Sequence, residues 1–487
     1  MTTAVEPGQV PTSHHHKGEV PFYREKGQAQ PRAVKGRFRD IKWWAMAVLL
    51  AWWHLAPFLR WDRGPGAPDQ AILIDLPGRR AYFFFIEIWP QEVYYVTGLL
   101  LIAAISLFLM SALAGRVWCG FLCWQTVYTD LFQQIERLVL GDRNARIALG
   151  RTPMSAAKAA RLAVVYGLWA MVAAACGIGF TLWFGDAFQT LREIFTLQAA
   201  PATYLFIGVI GGFCFLLAGF ARERVCVYMC PYSRFQSAMF DEHSLIVSYE
   251  AWRGEPRAPA PKHLNFDGRG HCVDCKLCVH SCPTGVDIRF GNQLACIGCG
   301  LCIDACDGVM EKFKLPKGLI RLDSSANLEA RTQARPVPGR RLIRPRTLVY
   351  FALLAAVGGV MLAALATRST TEVNVLHERS PLFVQMSDGS VRNGYAYKVL
   401  NMIREDRTYT LTIQGVEGAR LEVIGGDSDV THIDLAVDKD SVGTFRLFVT
   451  APEASLKGAR QPVTFVLTEK ASGKTVRTET MFAGPDK

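Results

Sequence analysis

The chain has 487 residues, half of them apolar, a net charge of +11 and a positive mean hydropathy. That length exceeds one ordinary domain, and that composition excludes a purely soluble protein in favour of a membrane protein carrying soluble parts. Residues 368–487 hold 15 Lys and Arg against 16 Asp and Glu, so the basic excess lies before them, where it encodes topology rather than nucleic-acid binding.

Residues 1–40 read as a basic cytoplasmic tail with His14, His15 and His16 and no signal-peptide cleavage pattern. The three histidines could touch a metal, but a solvated tract explains them as well. Apolar runs near the length needed to span hydrocarbon occur at about 41–61, 93–115, 160–184, 201–221 and 346–366. Five spans, with acid-rich 62–92 and 185–200 and basic 116–159 and 222–345, put the amino terminus inside and the carboxyl terminus outside. Residues 41–250 then form a four-helix membrane domain. Ala81–Pro90 is too short to cross and reads as a segment lying in the interface. His54, near the outer end of the first span, is either a packing histidine or a contact for a quinone or metal.

Cys119 and Cys123 close the second span, and Cys226 and Cys230, followed by Pro231, close the fourth. On a helix the i, i+4 spacing puts each pair on one face. Two matched pairs at one depth could converge into a four-thiolate site suited to Cu(I), zinc or iron–sulfur. The alternative is that these cysteines are small buried apolar residues, the role read for Cys176 and Cys214. Arg116, Arg222 and Arg224 lie beside the pairs, where they would favour thiolate and also serve as positive-inside anchors. Met229 could add a thioether, although packing explains it.

Residues 251–311 carry the most specific signal. Cys272, Cys275, Cys278 and Cys282 are spaced C-x2-C-x2-C-x3-C-P, and Cys296, Cys299, Cys302 and Cys306 repeat the spacing with Asp307 in place of the proline. This is the run of bacterial two-cluster ferredoxins, in which the fourth cysteine ligates the other cluster. It assigns Cys272, Cys275, Cys278 and Cys306 to one [4Fe–4S] cluster and Cys296, Cys299, Cys302 and Cys282 to a second. Zinc ribbons and disulfides leave the triplet rhythm unexplained. Pro256, Pro259, Pro261, Gly268 and Gly270 mark a flexible lead into this domain. Residues 312–345 read as a basic juxtamembrane return with Arg340, Arg341, Arg344 and Arg346 facing headgroups, and Pro345 opens the last helix.

After Arg368 the pattern becomes alternation. Thr408–Ile413, Thr444–Val449 and Val463–Thr468 are half-buried strands, and Ala471–Lys474 is a turn leading into Thr475–Met481. Residues 368–487 thus suit an all-β immunoglobulin-like sandwich. All 14 cysteines precede this region, which suggests a reducing compartment for the clusters and an oxidising, periplasmic one for the sandwich.

Over nearly its whole length the chain resembles the CcoG/FixG/RdxA family of accessory proteins associated with cbb3-type cytochrome c oxidases. The resemblance rests on Val34–Arg39, Ile88–Gln91, Cys119–Val127, Cys226–Gln236, the ferredoxin run and the carboxyl-terminal domain. Trp124 departs from it where relatives often carry Pro, so the two cysteine pairs are expected to end their helices differently. The resemblance implies an inner-membrane cupric reductase that supplies Cu(I) for oxidase assembly, with copper handled at Cys119, Cys123, Cys226 and Cys230. It implies as partners a copper chaperone or transporter, the cbb3 assembly machinery, membrane lipid and a reduced cytoplasmic carrier or quinol; a homodimer is left open. Two rivals are a quinol-oxidising conduit of the NapH or NosR type and a non-catalytic assembly scaffold.

Overall fold

The computed structural model describes residues 28–64, 66–260, 265–339, 341–426 and 430–485. His14–His16, Pro261 and Arg340 lie outside them. The chain divides into two compact units, one ending at Met361 and one beginning at Leu362.

The first unit opens with α1 (Arg37–Leu55), which ends in a short turn at Ala56–Phe58 containing Pro57. A meander of β1 (Ile72–Asp75), β2 (Arg80–Phe83) and β3 (Ile86–Ile88) follows. The expected interfacial segment at 81–90 is therefore mostly strand: Tyr82, Phe83 and Ile86 alternate along a paired ribbon, which satisfies their backbone groups. Next come α2 (Tyr94–Ala114), α3 (Trp124–Leu140), α4 (Arg143–Arg151), α5 (Ala156–Thr181), α6 (Ala187–Phe195), α7 (Pro201–Cys214) and α8 (Pro231–Ala238).

Among the described residues four helical stretches are long and apolar enough to cross a membrane: Pro90–Ala114, Ala156–Thr181, Pro201–Ala221 and Pro345–Ala366. They coincide with four of the five expected spans. The remaining one, 41–61, is helical only to Leu55, and its first turns bury Arg39 and Lys42. Glycines set the helix packing. A Cβ on Gly177 would lie 2.5 Å from the Ile207 carbonyl oxygen and one on Gly211 would lie 2.9 Å from that of Ala173, so α5 and α7 meet backbone to backbone. Against them α3 lays Phe132, stacked on Trp169 at 5.1 Å between ring centres.

The cluster domain is framed by an antiparallel pair, β4 (Leu245–Tyr249) and β5 (Ile320–Ser324). Between them run α9 (Ala251–Gly254), α10 (Leu277–Ser281) and α11 (Leu301–Lys312), and α12 (Ser325–Thr332) follows. Leu319 and Ile320 join Val247 and Tyr249 in its core. The expected linker at 312–345 thus begins with a strand and helix of this domain, which cysteine spacing alone could not reveal. Pro345 does open the last helix, α13 (Pro345–Ala366). Arg344 does not face headgroups: it is buried, its Nη1 2.6 Å from Asp241 Oδ1 and its Nη2 donating to the Ala112 carbonyl at 2.7 Å.

The stretch preceding α1 also differs from a solvated tail. Ala29 is buried and donates its N–H to Glu223, and the Arg32 N–H donates to the His280 carbonyl. The amino terminus of α1 has no cap of its own at Gly36. Asp304, between two ferredoxin cysteines, supplies one by accepting from Phe38 N at 3.2 Å and Arg39 N at 2.8 Å. Gly36 has φ +153°, and a Cβ there would lie 2.5 Å from the Asp304 carboxyl carbon. The Phe38 ring in turn covers Gly300.

The second unit is a two-sheet sandwich. One sheet has the order β10 (Arg420–Val423), β12 (Ser441–Pro452), β8 (Ser390–Asn401), β6 (Thr371–His377), with β7 (Val384–Gln385) also on β8. The other has the order β11 (His432–Val437), β9 (Arg407–Gln414), β13 (Arg460–Glu469), β14 (Thr475–Ala483). Inward residues at period two, among them Tyr395, Tyr397, Tyr409, Leu411, Phe465 and Phe482, form a core without a disulfide.

Asp130 of α3 makes a buried ion-pair trio, bonding both Arg39 terminal nitrogens at 2.9 and 2.7 Å with Lys42 Nζ 3.8 Å away. Burial pushes its carboxyl up, but Lys42 and Arg39 more than offset this and hold it below its ordinary value. Its stabilising effect is therefore present above the ordinary carboxylate range and is lost as pH falls through the lower folded value. Asp130→Ala strands two buried cations, and thermal unfolding in detergent is expected to show a loss of about 3–5 kcal/mol.

Candidate metal and electron-transfer centre

Cys272, Cys275, Cys278 and Cys306 line one cavity, closed by Val273, Leu277, Met310 and Tyr249. This is the quartet expected for the first cluster, assembled because α10 and α11 pack together. Cys302 of α11 lies within electrostatic reach of Cys299, Cys296 and Cys282, the second expected quartet. Burial pushes the Cys278 thiol up to about 12 and the Cys296 thiol up to about 11, and a coordinated metal removes such a proton. Among the described residues no three His, Cys, Asp or Glu side chains stand close enough to share a single metal ion. An apolar-walled quartet of thiols brought together by two packed helices, with a second quartet beside it, fits a pair of cubanes, each carrying iron at separate corners.

The membrane-edge cysteines lie on two copies of one backbone design. After α2 the chain reverses at Gly115 (φ 60°, ψ −122°), and after the fourth expected span it reverses at Arg222 (φ 46°, ψ −119°). Each reversal leads into one wide turn closed by an i→i+5 hydrogen bond, Cys123 N to Trp118 O at 2.9 Å and Cys230 N to Val225 O at 2.8 Å. The pairs are therefore not on regular helix faces: Cys123 and Cys230 stand at the caps of α3 and α8, in extended conformation. Three residues after each, a hydroxyl reaches back, Thr126 Oγ1 donating to Cys119 O at 2.6 Å and Ser233 Oγ to Cys226 O at 2.7 Å. Trp124 does not break the likeness, because the first helical residue needs no N–H partner and so tolerates Pro or Trp alike.

The two copies brace one another. Gln125 Nε2 donates to the Arg222 carbonyl at 3.2 Å, and Gln236 Nε2 donates to the Gly115 carbonyl at 3.0 Å, each holding the other copy's reversal. The Cys119 thiol donates to Gln236 Oε1 at 3.2 Å. Burial pushes the Cys119 thiol up to about 12, outweighing the opposing pull of Arg116, and takes Cys226 up to about 12 as well. Arg116 therefore does not offset burial at Cys119 and Cys226. Arg222 is buried and paired with Glu136, and Arg224 is exposed. All four sulfurs feel one another electrostatically without forming a site where three share one ion. Met229 is 61% exposed and packs no core. His54 bonds through Nδ1 to its own helix at Leu50 O, 2.8 Å away, and its ring lies against Gly179.

The second-cluster loop is seated on these hairpins. Cys119 and Cys226 pack against Ile297, Cys299 and Leu301. A Cβ on Gly120 would lie 3.0 Å from Ile297 O and 3.1 Å from Cys299 Cα. Arg116 is buried and ties the loop down, its Nη1 donating to Leu294 O at 2.5 Å and Cys296 O at 2.6 Å and its Nη2 to Ser233 O at 3.1 Å. Gly120 and Arg116 were not singled out as seats for the loop in the sequence, since their partners are about 180 residues away. Gly120→Val should push the loop off its seat: the protein is expected to lose up to half its iron by elemental analysis, and the remaining cluster's reduced electron paramagnetic resonance (EPR) signal should be that of the Cys272 quartet.

Residues 221–325 match the family of 4Fe-4S dicluster domains, residues 96–144 a 4Fe-4S binding domain, and residues 361–485 the IG-like fold at the C-terminal of FixG. The chain is 43% identical over 480 residues to nitrogen fixation protein FixG of Rhizobium meliloti, covering 93% of this chain and 92% of the relative. It is 44% identical over 452 residues to protein RdxA of Cereibacter sphaeroides, covering 92% and 93%. A crystal structure of a FixG-related protein from Vibrio parahaemolyticus aligns with 24% of this chain and 96% of its own at 22% identity and a TM-score of 0.21. With its iron–sulfur domains and apolar helices, the chain is a membrane-associated electron-transfer protein and belongs to the FixG family.

Proposed function

We propose that the protein reduces Cu(II) to Cu(I) at the membrane edge for delivery during assembly of a cbb3-type cytochrome c oxidase. The observation that carries this reading is the seating of the Cys296–Cys302 loop directly on Cys119 and Cys226. Bound [4Fe–4S] clusters supply electrons one at a time, which is what Cu(II) needs. Cys272, Cys275, Cys278 and Cys306 would hold one cluster, and Cys282, Cys296, Cys299 and Cys302 the other. The copper substrate meets soft thiols at Cys119, Cys123, Cys226 and Cys230, ligands that suit the reduced ion. These four sulfurs lie within electrostatic reach of one another beside the caps of α3 and α8, where they would hold the ion and pass it on. Gln125 and Gln236 hold the two hairpins in register, and Arg116 keeps the cluster loop against them.

The charge distribution supports an inner-membrane arrangement with α1 as a fifth span, the amino terminus and clusters cytoplasmic, and the sandwich periplasmic. A copper chaperone or transporter would take the Cu(I), and the sandwich would meet the oxidase assembly machinery. A second reading has one observation in its favour: the matched 4Fe-4S binding domain at 96–144 contains no cysteines besides Cys119 and Cys123. Together with Cys226 and Cys230 these would hold a further cluster instead of copper.

Anaerobically reduced protein mixed with Cu(II) is expected to form Cu(I), read by a chelator, in step with loss of cluster reduction. Cys226→Ser/Cys230→Ser should block this while leaving iron content unchanged. Copper reduction at the wild-type rate in that variant would move the site elsewhere, and a loss of iron would favour the further cluster.

A further inference from the structure

Between α1, α3, α5 and α7 lies a cavity of about 230 Å³, lined in part by Trp124 and Gln125 at the start of α3. Trp53, Phe180 and Phe213 complete an aromatic lining, and Cys176 and Cys214 face one another across one side. Both helices that carry these two cysteines are long and apolar enough to cross a membrane, so an occupant would enter from the lipid. The volume falls below the roughly 300–1,000 Å³ of pockets for drug-sized molecules. It admits one substituted ring and excludes a nucleotide.

The polar contribution is sparse and specific. Tyr128 lines the cavity with only 5% of its surface exposed, and its hydroxyl meets only the Cys176 thiol, a weak hydrogen-bond partner. A buried hydroxyl of this kind is satisfied by an occupant that can donate or accept. The Tyr128 ring stacks on Trp124 at 5.8 Å, and Trp124 meets Trp53 at 4.7 Å. Trp124 is also the peptide neighbour of Cys123. A ring bound here would therefore lie against the residue that joins the cavity to the cysteine hairpins, on which the second-cluster loop is seated.

We propose that this cavity binds the head group of a membrane quinol and is the point where electrons enter the protein. The inference rests on the electron-transfer reading above and names its donor. The quinol breaks two O–H bonds and becomes quinone, releasing two electrons and two protons. The electrons pass one at a time toward the hairpins and the cluster loop, where they reduce two Cu(II) to two Cu(I). A two-electron donor beside a one-electron acceptor needs a place for its second electron, which clusters held by the two cysteine quartets would provide. The protons leave past Gln125, which also lines the polar pocket holding Glu223. Glu223 Oε2 there has no hydrogen-bond partner, and the protons continue to water.

The test uses full-length protein in detergent, oxidised clusters, and a short-chain ubiquinol under anaerobic conditions. Wild-type clusters are expected to be reduced by the quinol. Tyr128→Phe, which keeps the ring, should raise the quinol KM roughly 3- to 10-fold through loss of one hydrogen bond. Ile210→Trp, which fills the cavity, should abolish reduction by quinol. Dithionite-driven cluster reduction serves as the control for folding in both variants. Wild-type quinol kinetics in both variants would overturn the proposal, as would wild-type clusters that ignore quinol yet pass electrons to Cu(II) after dithionite. Dithionite-reduced protein that ignores Cu(II) would overturn the copper reading instead, and quinol reduction of its clusters would still support this site.

Discussion

The close approach of the Cys296–Cys302 loop to two backbone reversals is the constraint on which the rest of the molecule depends. Gly120 must lack a side chain for the loop to come within van der Waals distance. Gly115 must lack one because a Cβ there would lie 1.9 Å from the Leu245 carbonyl oxygen, at the start of the strand that frames the cluster domain. Arg116, between these glycines, spends its guanidinium on carbonyls of the cluster loop and of α8. Electron transfer needs proximity more than it needs a particular side chain, and here proximity is built from absent side chains and one buried cation.

The same economy explains the two cysteine hairpins. Each is a reversal, a wide turn and a hydroxyl that ties the turn to the next helix, and each is locked by a glutamine from the other copy. Arg222 adopts a positive φ that costs a side-chain-bearing residue about 1–3 kcal/mol, and its pairing with Glu136 and its bond to Gly219 O hold it there. Two mutually braced copies thus hold the sulfur-bearing turns in register through side-chain to backbone hydrogen bonds. The first turn of α1 docks on the cluster domain, with Asp304 capping it and Phe38 resting on Gly300.

Much of this was legible in the sequence, and the reasons differ by element. The ferredoxin quartets were readable because ligand spacing is a local property, and Cys272, Cys275, Cys278 and Cys306 do line one cavity. The sandwich strands were readable because Tyr409, Leu411 and Phe465 alternate at period two. The segment from 28 to 40 was misread as a tail because its basic residues find buried partners far away, Arg39 on Asp130 and the Arg39 N–H on Asp304. The paired cysteines were placed on regular helix faces because an i, i+4 spacing cannot distinguish an α-turn from the wider turn that backbone reversal imposes. Arg116 and Arg344 look like interfacial anchors by position, and only the fold shows them inside. For residues 28–40 and for the two arginines the missing information was a long-range contact to a single carbonyl or carboxylate, which leaves no periodic trace; for the cysteine pairs it was a local i→i+5 turn.

The most direct measurement is rapid-freeze EPR of anaerobically reduced protein mixed with Cu(II), following the copper signal and both reduced-cluster signals in the same samples. If the loop seated on the hairpins is the exit for electrons, the Cu(II) signal and that of the cluster held by the Cys282, Cys296, Cys299 and Cys302 quartet disappear together, and the other cluster follows. Oxidation of the Cys272 quartet's cluster first, or a Cu(II) signal that persists beside two reduced clusters, would contradict the account.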